Sequence, residues 1–210
     1  MRGILAWLCA GLALAPAGAA GGTFVDAALG SVDARVVTAS EIALARALGL
    51  FGFAPSAAPI GAGDVERMLD AVLVLQEAEQ LDIGGKPDEA EAAWRAAGER
   101  LGGQPALERW LVEVGVEPAW ARALVANDGR WRRFIELRFK DFAFVTPDMV
   151  SAVLGPGPHD AAALERARAR LRAEDAERQL AAWLREARER MTVRRLIPDD
   201  ARIATPFPMP

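Results

Sequence analysis

Apolar side chains recur at steps of three and four residues along most of the chain, which is the spacing of one face of an α-helix. The longest such stretch runs from Pro118 to Phe142. Its predicted inner face carries Trp120, Leu124, Asn127, Trp131, Ile135 and Phe139 or Phe142, and its outer face carries Arg130, Arg132, Arg133, Arg138 and Lys140. The pattern predicts a helix of about 25 residues, roughly 37 Å long, as the central element of a helical body.

Proline and glycine residues mark the ends of further helices. Pro87, Pro105 and Pro118 suit the first turn of a helix. The pairs Gly84–Gly85 and Gly102–Gly103 suit the residues just after one. The predicted helices cover about residues 39–50, 65–81, 87–101, 105–114, 118–142, 147–154 and 161–191.

Residues that cap helix starts support these boundaries. Thr38 is followed three residues later by Glu41, the spacing of a capping box. Asp64 and Asp160 each precede a helical pattern and carry the side-chain oxygen that accepts from a free backbone amide, and Thr146-Pro147 begins a further short helix. We therefore expect helices to begin at these places.

Two short segments read as extended chain. Residues Thr23 to Val37 contain β-forming residues around a predicted turn at Gly30–Asp33, and Thr192–Ile197 reads as a strand. The proline-rich end, Thr205–Pro210, is predicted to be disordered. The predicted fold is mostly α: a bundle of about six helices with a small β element that joins the N- and C-terminal segments.

The first twenty residues have the form of a secretory signal. Arg2 precedes the uncharged apolar run Ile4–Ala15, which at about 12 residues falls short of the roughly 20 that span a bilayer. Pro16 ends the run, and small residues allow cleavage after Ala19 or Ala20. The alternative is an N-terminal membrane anchor. We expect cleavage, and a periplasmic protein without stable membrane insertion.

Composition then limits the chemistry. Cys9 is the single cysteine and lies within the signal, so the mature chain is expected to have no thiol and no disulfide. Residues 21–127 carry 8 basic and 16 acidic side chains, whereas residues 128–210 carry 16 basic and 13 acidic ones. We expect the two parts to attract each other. Because the basic residues alternate with acidic ones, nucleic acid is a poor partner.

No residue set predicts a catalytic, cofactor or metal site. His159 is the single histidine and falls in a Gly/Pro turn, where an exposed loop residue is expected. Asp88, Glu89 and Glu91 fit the first turn of a helix, where acidic side chains favour the helix dipole. Gly84-Gly85-Lys86 lacks the spacing of a phosphate-binding loop.

The aromatic residues are the remaining candidates for function. Most of them fall at helical spacings and are expected in the core. Their number suggests that some apolar surface stays exposed in a groove between helices, where it would bind a partner. The residues predicted to bind such a partner are Trp120, Trp131, Phe134 and Phe139.

In three places the chain resembles the N-terminal module of the SurA family of periplasmic chaperones. Val25-Asp26 followed by Val36–Ile42 (VVTASEI) is similar to the family's opening hairpin and first helix. Leu73–Glu79 (LVLQEAE) is similar to its "L-L-L-Q-E-A-E" helix, and Glu165–Val193 to its charged closing helix and strand. Together these places span nearly the whole mature chain, to about Ile197.

Two departures qualify what the resemblance implies. Gly30 and Ser31 stand where the family's first strand is more apolar. Family members commonly insert parvulin-type prolyl-isomerase domains where this chain has only the linker 155–159. The implied organisation is a signal at 1–20, a helical module at 21–154, that linker, a closing helix and strand at 160–197, and a tail at 198–210.

Three functions remain open. The resemblance implies an ATP-independent chaperone, without cofactors, that binds unfolded envelope or outer-membrane polypeptides during outer-membrane protein assembly. A peptidyl-prolyl isomerase-related enzyme is the second, and the missing insert argues against it. A structural adaptor that binds one fixed envelope partner is the third. The breadth of partners separates the adaptor from the chaperone, and the sequence leaves the oligomeric state open.

Overall fold

The computed structural model describes residues 26–157 and 159–208. The predicted signal with Cys9, the extended start at Phe24-Val25, and residues 158, 209 and 210 lie outside the described residues. Within them the fold is mostly α with a small β element, as predicted. The helices are α1 (Ala39–Leu48), α2 (Ala62–Gln80), α3 (Pro87–Arg100), α4 (Gln104–Glu113), α5 (Pro118–Ile135), a π-helix (Glu136–Lys140), α6 (Pro147–Leu154) and α7 (Ala161–Arg190). The strands are β1 (Ala28–Val32), β2 (Arg35–Thr38), β3 (Ile60–Gly61), β4 (Val193–Arg195) and β5 (Arg202–Ile203).

A three-stranded antiparallel sheet joins the two ends of the chain. Its strand order is β2-β1-β4, and Ser31 lies opposite Val36 on one side and Arg194 on the other. The predicted pairing of the terminal segments is therefore confirmed. The turn is not at Gly30–Asp33: β1 continues to Val32, and Asp33, with a φ of 48°, begins the turn. A side chain at Gly30 would come within 3.0 Å of the Arg194 carbonyl oxygen, so glycine lets β4 approach.

Helix α1, rather than α5, lies at the centre of the body. All ten of its residues are buried, including Glu41 and Arg46. Its many alanines allow close packing, and the guanidinium of Arg46 is held by the Ser56 carbonyl oxygen at 2.9 Å and the Asp64 carboxylate at 3.6 Å. The predicted spine α5 buries only one face against neighbouring helices. The amphipathic pattern of α5 marks a helix at the edge of the core, whereas α1 is buried on every side.

The predicted helix caps are largely confirmed. The side chains of Thr38, Thr146 and Asp160 accept from the backbone amides three residues on, at 3.3, 3.2 and 2.6 Å. Asp64 does not stand before its helix, because α2 begins two residues earlier at Ala62. Its carboxylate instead accepts from the Gly61 backbone amide at 2.9 Å. The same side chain thus satisfies a helix start from inside the first turn.

The predicted long helix 118–142 is divided. Its α-helical part ends at Ile135, and the next turn is π-helical, closed by the Asp141 amide donating to the Glu136 carbonyl oxygen at 3.0 Å. A π-turn adds a residue to one turn and shifts the side chains that follow around the axis. Phe139 consequently packs inside, 4% exposed, whereas Phe142 is 74% exposed.

The prediction that the tail is disordered is wrong for the described part of it. Just before the segment predicted to be disordered, Thr205–Pro210, β5 pairs with β3 through Ile60–Ile203 and Gly61–Arg202. Phe207 is buried, and its ring meets that of Trp110 edge-on, with centroids 5.7 Å apart. The proline-rich composition of the tail therefore did not indicate that one of its aromatic residues is buried.

Ion pairs connect the acidic first part of the chain to the basic second part, as the charge distribution predicted. Arg188 on α7 binds Asp70 on α2 at 2.6 Å and Glu66 at 2.9 Å. Arg195 on β4 binds Glu66 at 3.2 Å. These contacts hold the closing helix and strand against α2.

Candidate functional site

The four predicted partner-binding residues lie in three separate places. Phe134 and Phe139 are in contact, with ring centroids 5.9 Å apart. Trp131 packs against Phe51 on another side of α5, and Trp120 lies near the C-terminal tail. The spacing places Trp120, Trp131 and Phe139 on one face of a single predicted helix. The end of the α-helix at Ile135 is one reason why they do not share a face.

Phe134, Phe139 and Trp183 form one aromatic cluster. The Trp183 centroid lies 5.4 Å from that of Phe134 and 6.2 Å from that of Phe139. Phe134 has no exposed surface, so in this conformation it supports its neighbours rather than contacting a partner. Phe139 and Trp183 also line a surface groove.

This groove, called here the open groove, lies between the end of α2, the π-helix and α7. It encloses about 570 Å³. Its apolar lining consists of Leu81, Ile83, Leu137, Phe139, Phe142 and Trp183, and its polar lining of Arg138, Gln179 and Glu186. At its edge, Phe142 is 74% exposed and Leu81 50% exposed. Exposed apolar side chains beside an aromatic floor are typical of a binding surface.

Polar contacts hold side chains of α7, the helix that forms one wall of the open groove. Asp175 on α7 accepts from Arg178 at 2.9 Å and from Gln179 at 2.7 Å. These hydrogen bonds, with a further one from the Phe144 backbone, lower the pKa of the Asp175 carboxyl. Arg188 ties α7 to Asp70 on α2, where desolvation by burial outweighs the guanidinium and raises the pKa of the Asp70 carboxyl.

Trp131 stabilises a turn rather than a groove. Its ring stands nearly perpendicular to that of Phe51 at 6.1 Å. Phe51 has a φ of 51°, and its backbone amide donates to the buried carboxylate of Asp128 at 2.6 Å. Arg132 donates to the other oxygen of Asp128, also at 2.6 Å. Trp131 and Asp128 therefore hold the turn that follows α1.

Trp120 lines a second groove, called here the tail groove, of about 340 Å³. Val114 and Val116 form its floor together with Trp120, and Asp26 and Ser40 lie at its edge. Pro206 and Phe207 of the tail form one side of it, and Trp110, which contacts the Phe207 ring, lies next to it. Trp120 remains 37% exposed beside them.

The polar residues considered for catalysis or metal binding contact neighbouring backbone or side chains, or lie at a helix start. The His159 Nε2 atom lies 3.0 Å from the Gly155 carbonyl oxygen, and the ring is partly buried rather than fully exposed. Asp88 and Glu89 lie in the first turn of α3, and Glu91 pairs with Arg122 at 3.1 Å. Across residues 26–157 and 159–208 no three His, Cys, Asp or Glu side chains are grouped so as to hold a metal ion.

Comparisons with models of known protein families and with curated proteins give no match for this chain. None of the helices within the described ranges has the length and apolar character needed to cross a membrane.

Sequence reasoning missed two parts of these sites. Leu81 and Ile83 follow the last turn of α2, where periodicity carries no information about orientation. The contact between Trp110 and Phe207 joins residues almost a hundred positions apart. The isolated Pro206-Phe207-Pro208 sequence was the available signal, because a large aromatic residue is unusual in a disordered tail.

Proposed function

We propose that this protein is a periplasmic, SurA-like holding chaperone that lacks an isomerase domain and binds unfolded envelope or outer-membrane polypeptides without ATP. The observation that carries the proposal is the open groove, where Phe142 and Leu81 are exposed above a floor of Phe139 and Trp183. The resemblance of the sequence to the SurA N-terminal module supports the same class.

The mechanism follows from the chemistry of the open groove. An extended segment of an unfolded chain presents alternate side chains, and an apolar one among them buries its surface against Phe139, Phe142 and Leu81. Each fully buried large side chain contributes about 1.5 to 3 kcal/mol. After the cost of ordering the segment, a few such contacts give micromolar binding, near −8 kcal/mol. Binding of that strength delays aggregation and still lets the client leave.

Charged residues around the open groove favour breadth over selectivity. Arg138 and Glu186 have opposite signs, and Gln179 is neutral. A client segment of either charge therefore meets one favourable and one unfavourable side chain, and the apolar contacts decide its affinity.

Aggregation of a chemically unfolded outer-membrane barrel protein tests the proposal. Equimolar wild-type protein should suppress the rise in light scattering without nucleotide. The double variant Leu81→Ser/Phe142→Ser should keep its circular dichroism spectrum and lose most of that suppression. Val112→Ser is the matched control, because Val112 is 73% exposed on α4, outside the open groove.

The outcomes separate the candidate functions. Suppression for several unrelated clients, reduced by the double variant alone, supports the chaperone. If wild-type protein leaves scattering unchanged for all of them, the chaperone is excluded, and an adaptor for one fixed partner becomes the better account.

Export is tested separately. The signal at residues 1–20 should be removed after Ala19 or Ala20, so that the exported protein lacks Cys9. Intact-mass measurement on the periplasmic fraction should give a chain that begins near Gly21. A mature protein that keeps Cys9, or carries a lipid on it, would contradict the periplasmic assignment.

A further inference from the structure

The tail groove differs from the open groove because a segment of the chain's own tail, Pro206-Phe207, forms one of its walls and packs against Trp110 next to it. Phe207 is only 6% exposed, and its ring meets the edge of Trp110 at 5.7 Å with an interplanar angle of 80°. The indole Nε1 of Trp110 donates to the Pro208 carbonyl oxygen at 3.1 Å. The tail is thus held by one aromatic contact and one hydrogen bond to its backbone.

These contacts favour binding of a particular kind of peptide. Proline fixes its own φ near −65° and keeps the residue before it extended, so Thr205 and Phe207 are both restricted to extended conformations. Such a segment loses little entropy on binding, and aromatic-lined grooves recognise proline-rich peptides in this way. The chemistry that fits the groove is an aromatic side chain flanked by prolines, with a free carbonyl after it.

The attachment of the tail is weak enough to be exchanged. Before Phe207, the tail is paired to the body through β5, and that ladder has only two residue pairs. Arg202, Ala204 and Pro208 are exposed. Few buried contacts therefore oppose release of the segment, which is typical of low-cost local opening. Trp120 stays partly exposed beside it, so apolar surface remains for a longer ligand.

We propose that Trp110 and the adjoining tail groove form a second peptide-binding site, specific for extended segments with a proline-flanked aromatic residue, and that the tail of the chain occupies the Trp110 part of this site as a resident ligand. A linked ligand has an effective concentration in the millimolar range. A free segment must therefore displace the tail, and the resident tail sets a threshold for access to the site. This proposal does not depend on the open groove or on chaperone activity.

The test uses the full chain and a labelled peptide of residues 203–208, Ile-Ala-Thr-Pro-Phe-Pro. Phe207→Ala removes the resident side chain and leaves Trp110 in place. Fluorescence anisotropy should show that the peptide binds Phe207→Ala at least tenfold more tightly than it binds wild-type protein. A peptide with alanine in place of its phenylalanine should not bind either protein.

Two double variants locate the binding. Trp110→Phe combined with Phe207→Ala keeps an aromatic ring and removes the indole donor, so peptide affinity should fall about fivefold to tenfold, as loss of a hydrogen bond worth about 1 kcal/mol requires. Trp131→Phe with Phe207→Ala is the matched control, because Trp131 packs against Phe51 instead. Its affinity should equal that of Phe207→Ala.

Folding of the variant is part of the same test. If Phe207→Ala lowers the melting temperature or unfolds the protein, added peptide should restore it in a concentration-dependent way, because a ligand that binds only the native state stabilises it. Equal affinity for wild type and Phe207→Ala, no binding and no restoration, or equal loss in both double variants would overturn the proposal. A concentration-dependent wild-type dimer that Phe207→Ala abolishes would assign the tail to a second copy and overturn its residence within one chain.

Discussion

The open groove and the tail groove have similar chemistry and different occupancy. Both are lined by a tryptophan or phenylalanine on helical walls. In the open groove, the exposed residues are Phe142 and Leu81, and no described segment of the chain covers them. Beside the tail groove, Phe207 of the chain itself packs against Trp110 and forms one wall.

The two grooves show that an apolar surface adds to the core when the chain itself covers it, and is available for binding when the chain leaves it exposed. Phe207 adds stability because it belongs to the same chain as Trp110 and packs against its ring. Phe142 adds little stability because it remains in water, and it is free to contact another chain. The two grooves therefore predict opposite effects of substitution: loss of stability at one, and loss of binding at the other.

The largest expected effect is at the support of the open groove. Phe134→Ala removes a fully buried ring that contacts Phe139 and Trp183, and such changes cost about 3 to 5 kcal/mol. Thermal unfolding should show a fall in melting temperature of about 10 °C for a domain of this size. Phe144→Ala is the control, since Phe144 is 77% exposed, and its melting temperature should equal that of wild type. Equal losses in both variants would mean that the cluster is not part of the core.

Removal of the tail should have the next largest effect. A chain that ends at Ile197 lacks the tail, of which the sequence predicted Thr205–Pro210 to be disordered. Burial of Phe207 contributes about 1.5 to 3 kcal/mol, so the truncated protein should melt about 5 °C lower. Phe207→Ala in the full chain should reproduce most of that fall. A truncated protein that melts with wild type would show that the tail does not occupy its groove in solution.

A smaller effect separates the hydrogen bond from the packing in the tail groove. Trp110→Phe loses the indole donor to the Pro208 carbonyl oxygen, which contributes about 1 kcal/mol. Denaturant unfolding should show this loss in the full chain and almost none in the chain deleted from Pro198, because the acceptor is gone there. Comparison of the four proteins as a double-mutant cycle gives the coupling directly. Equal losses in both backgrounds would place the effect of Trp110 elsewhere.

The smallest effect is a pH dependence at the edge of the tail groove. Glu41 is buried next to Ser40, which lines this groove. Desolvation by burial raises the pKa of the Glu41 carboxyl above its ordinary value of 4.5, because it outweighs the attraction of Arg35. As pH rises from 4.5 through the raised pKa, the unfolded chain loses this proton first, so Glu41 makes the folded state progressively less stable.

Glu41→Gln removes that titration. The melting temperature of wild-type protein relative to Glu41→Gln should therefore decline between pH 4 and pH 7. Gln80→Ala, at an exposed position on α2 and without a titratable side chain, is the control and should give a constant difference from wild type. A wild-type melting temperature that rises relative to Glu41→Gln over this range would show that the Arg35 ion pair dominates instead.

Local signals predicted most of the fold. Thr38, Thr146 and Asp160 cap helices where expected, because a cap depends on residues three positions apart. Pro87 and Pro118 begin helices for the same reason. The pairing of β1 with β4 was also predicted, from two short β-forming segments at the ends of a helical chain.

The sites depended on contacts between distant residues, and the sequence predicted less of them. The π-turn at Glu136–Lys140 brings Phe139 inward against Trp183, and helical periodicity cannot show such a change of phase. Of the four proposed partner-binding residues, Phe139 alone lines the open groove and Trp120 alone lines the tail groove. Composition predicted a disordered tail because it averages over residues, whereas one buried phenylalanine is enough to order it.

The pairing of β1 with β4 also constrains the order in which the chain folds. Asp33 and Thr192 meet across 159 positions of sequence. Closing a loop of that length costs roughly 4 to 5 kcal/mol of chain entropy before any contact repays it. We therefore expect the helices to form and pack first during synthesis, while β1 has β2 on one side and an unpaired edge on the other. Strand β4 can pair with that edge only after α7 and β4 have emerged. A nascent chain stalled before Val193 should therefore contain all the helices and expose the unpaired edge of β1, which could pair with another chain.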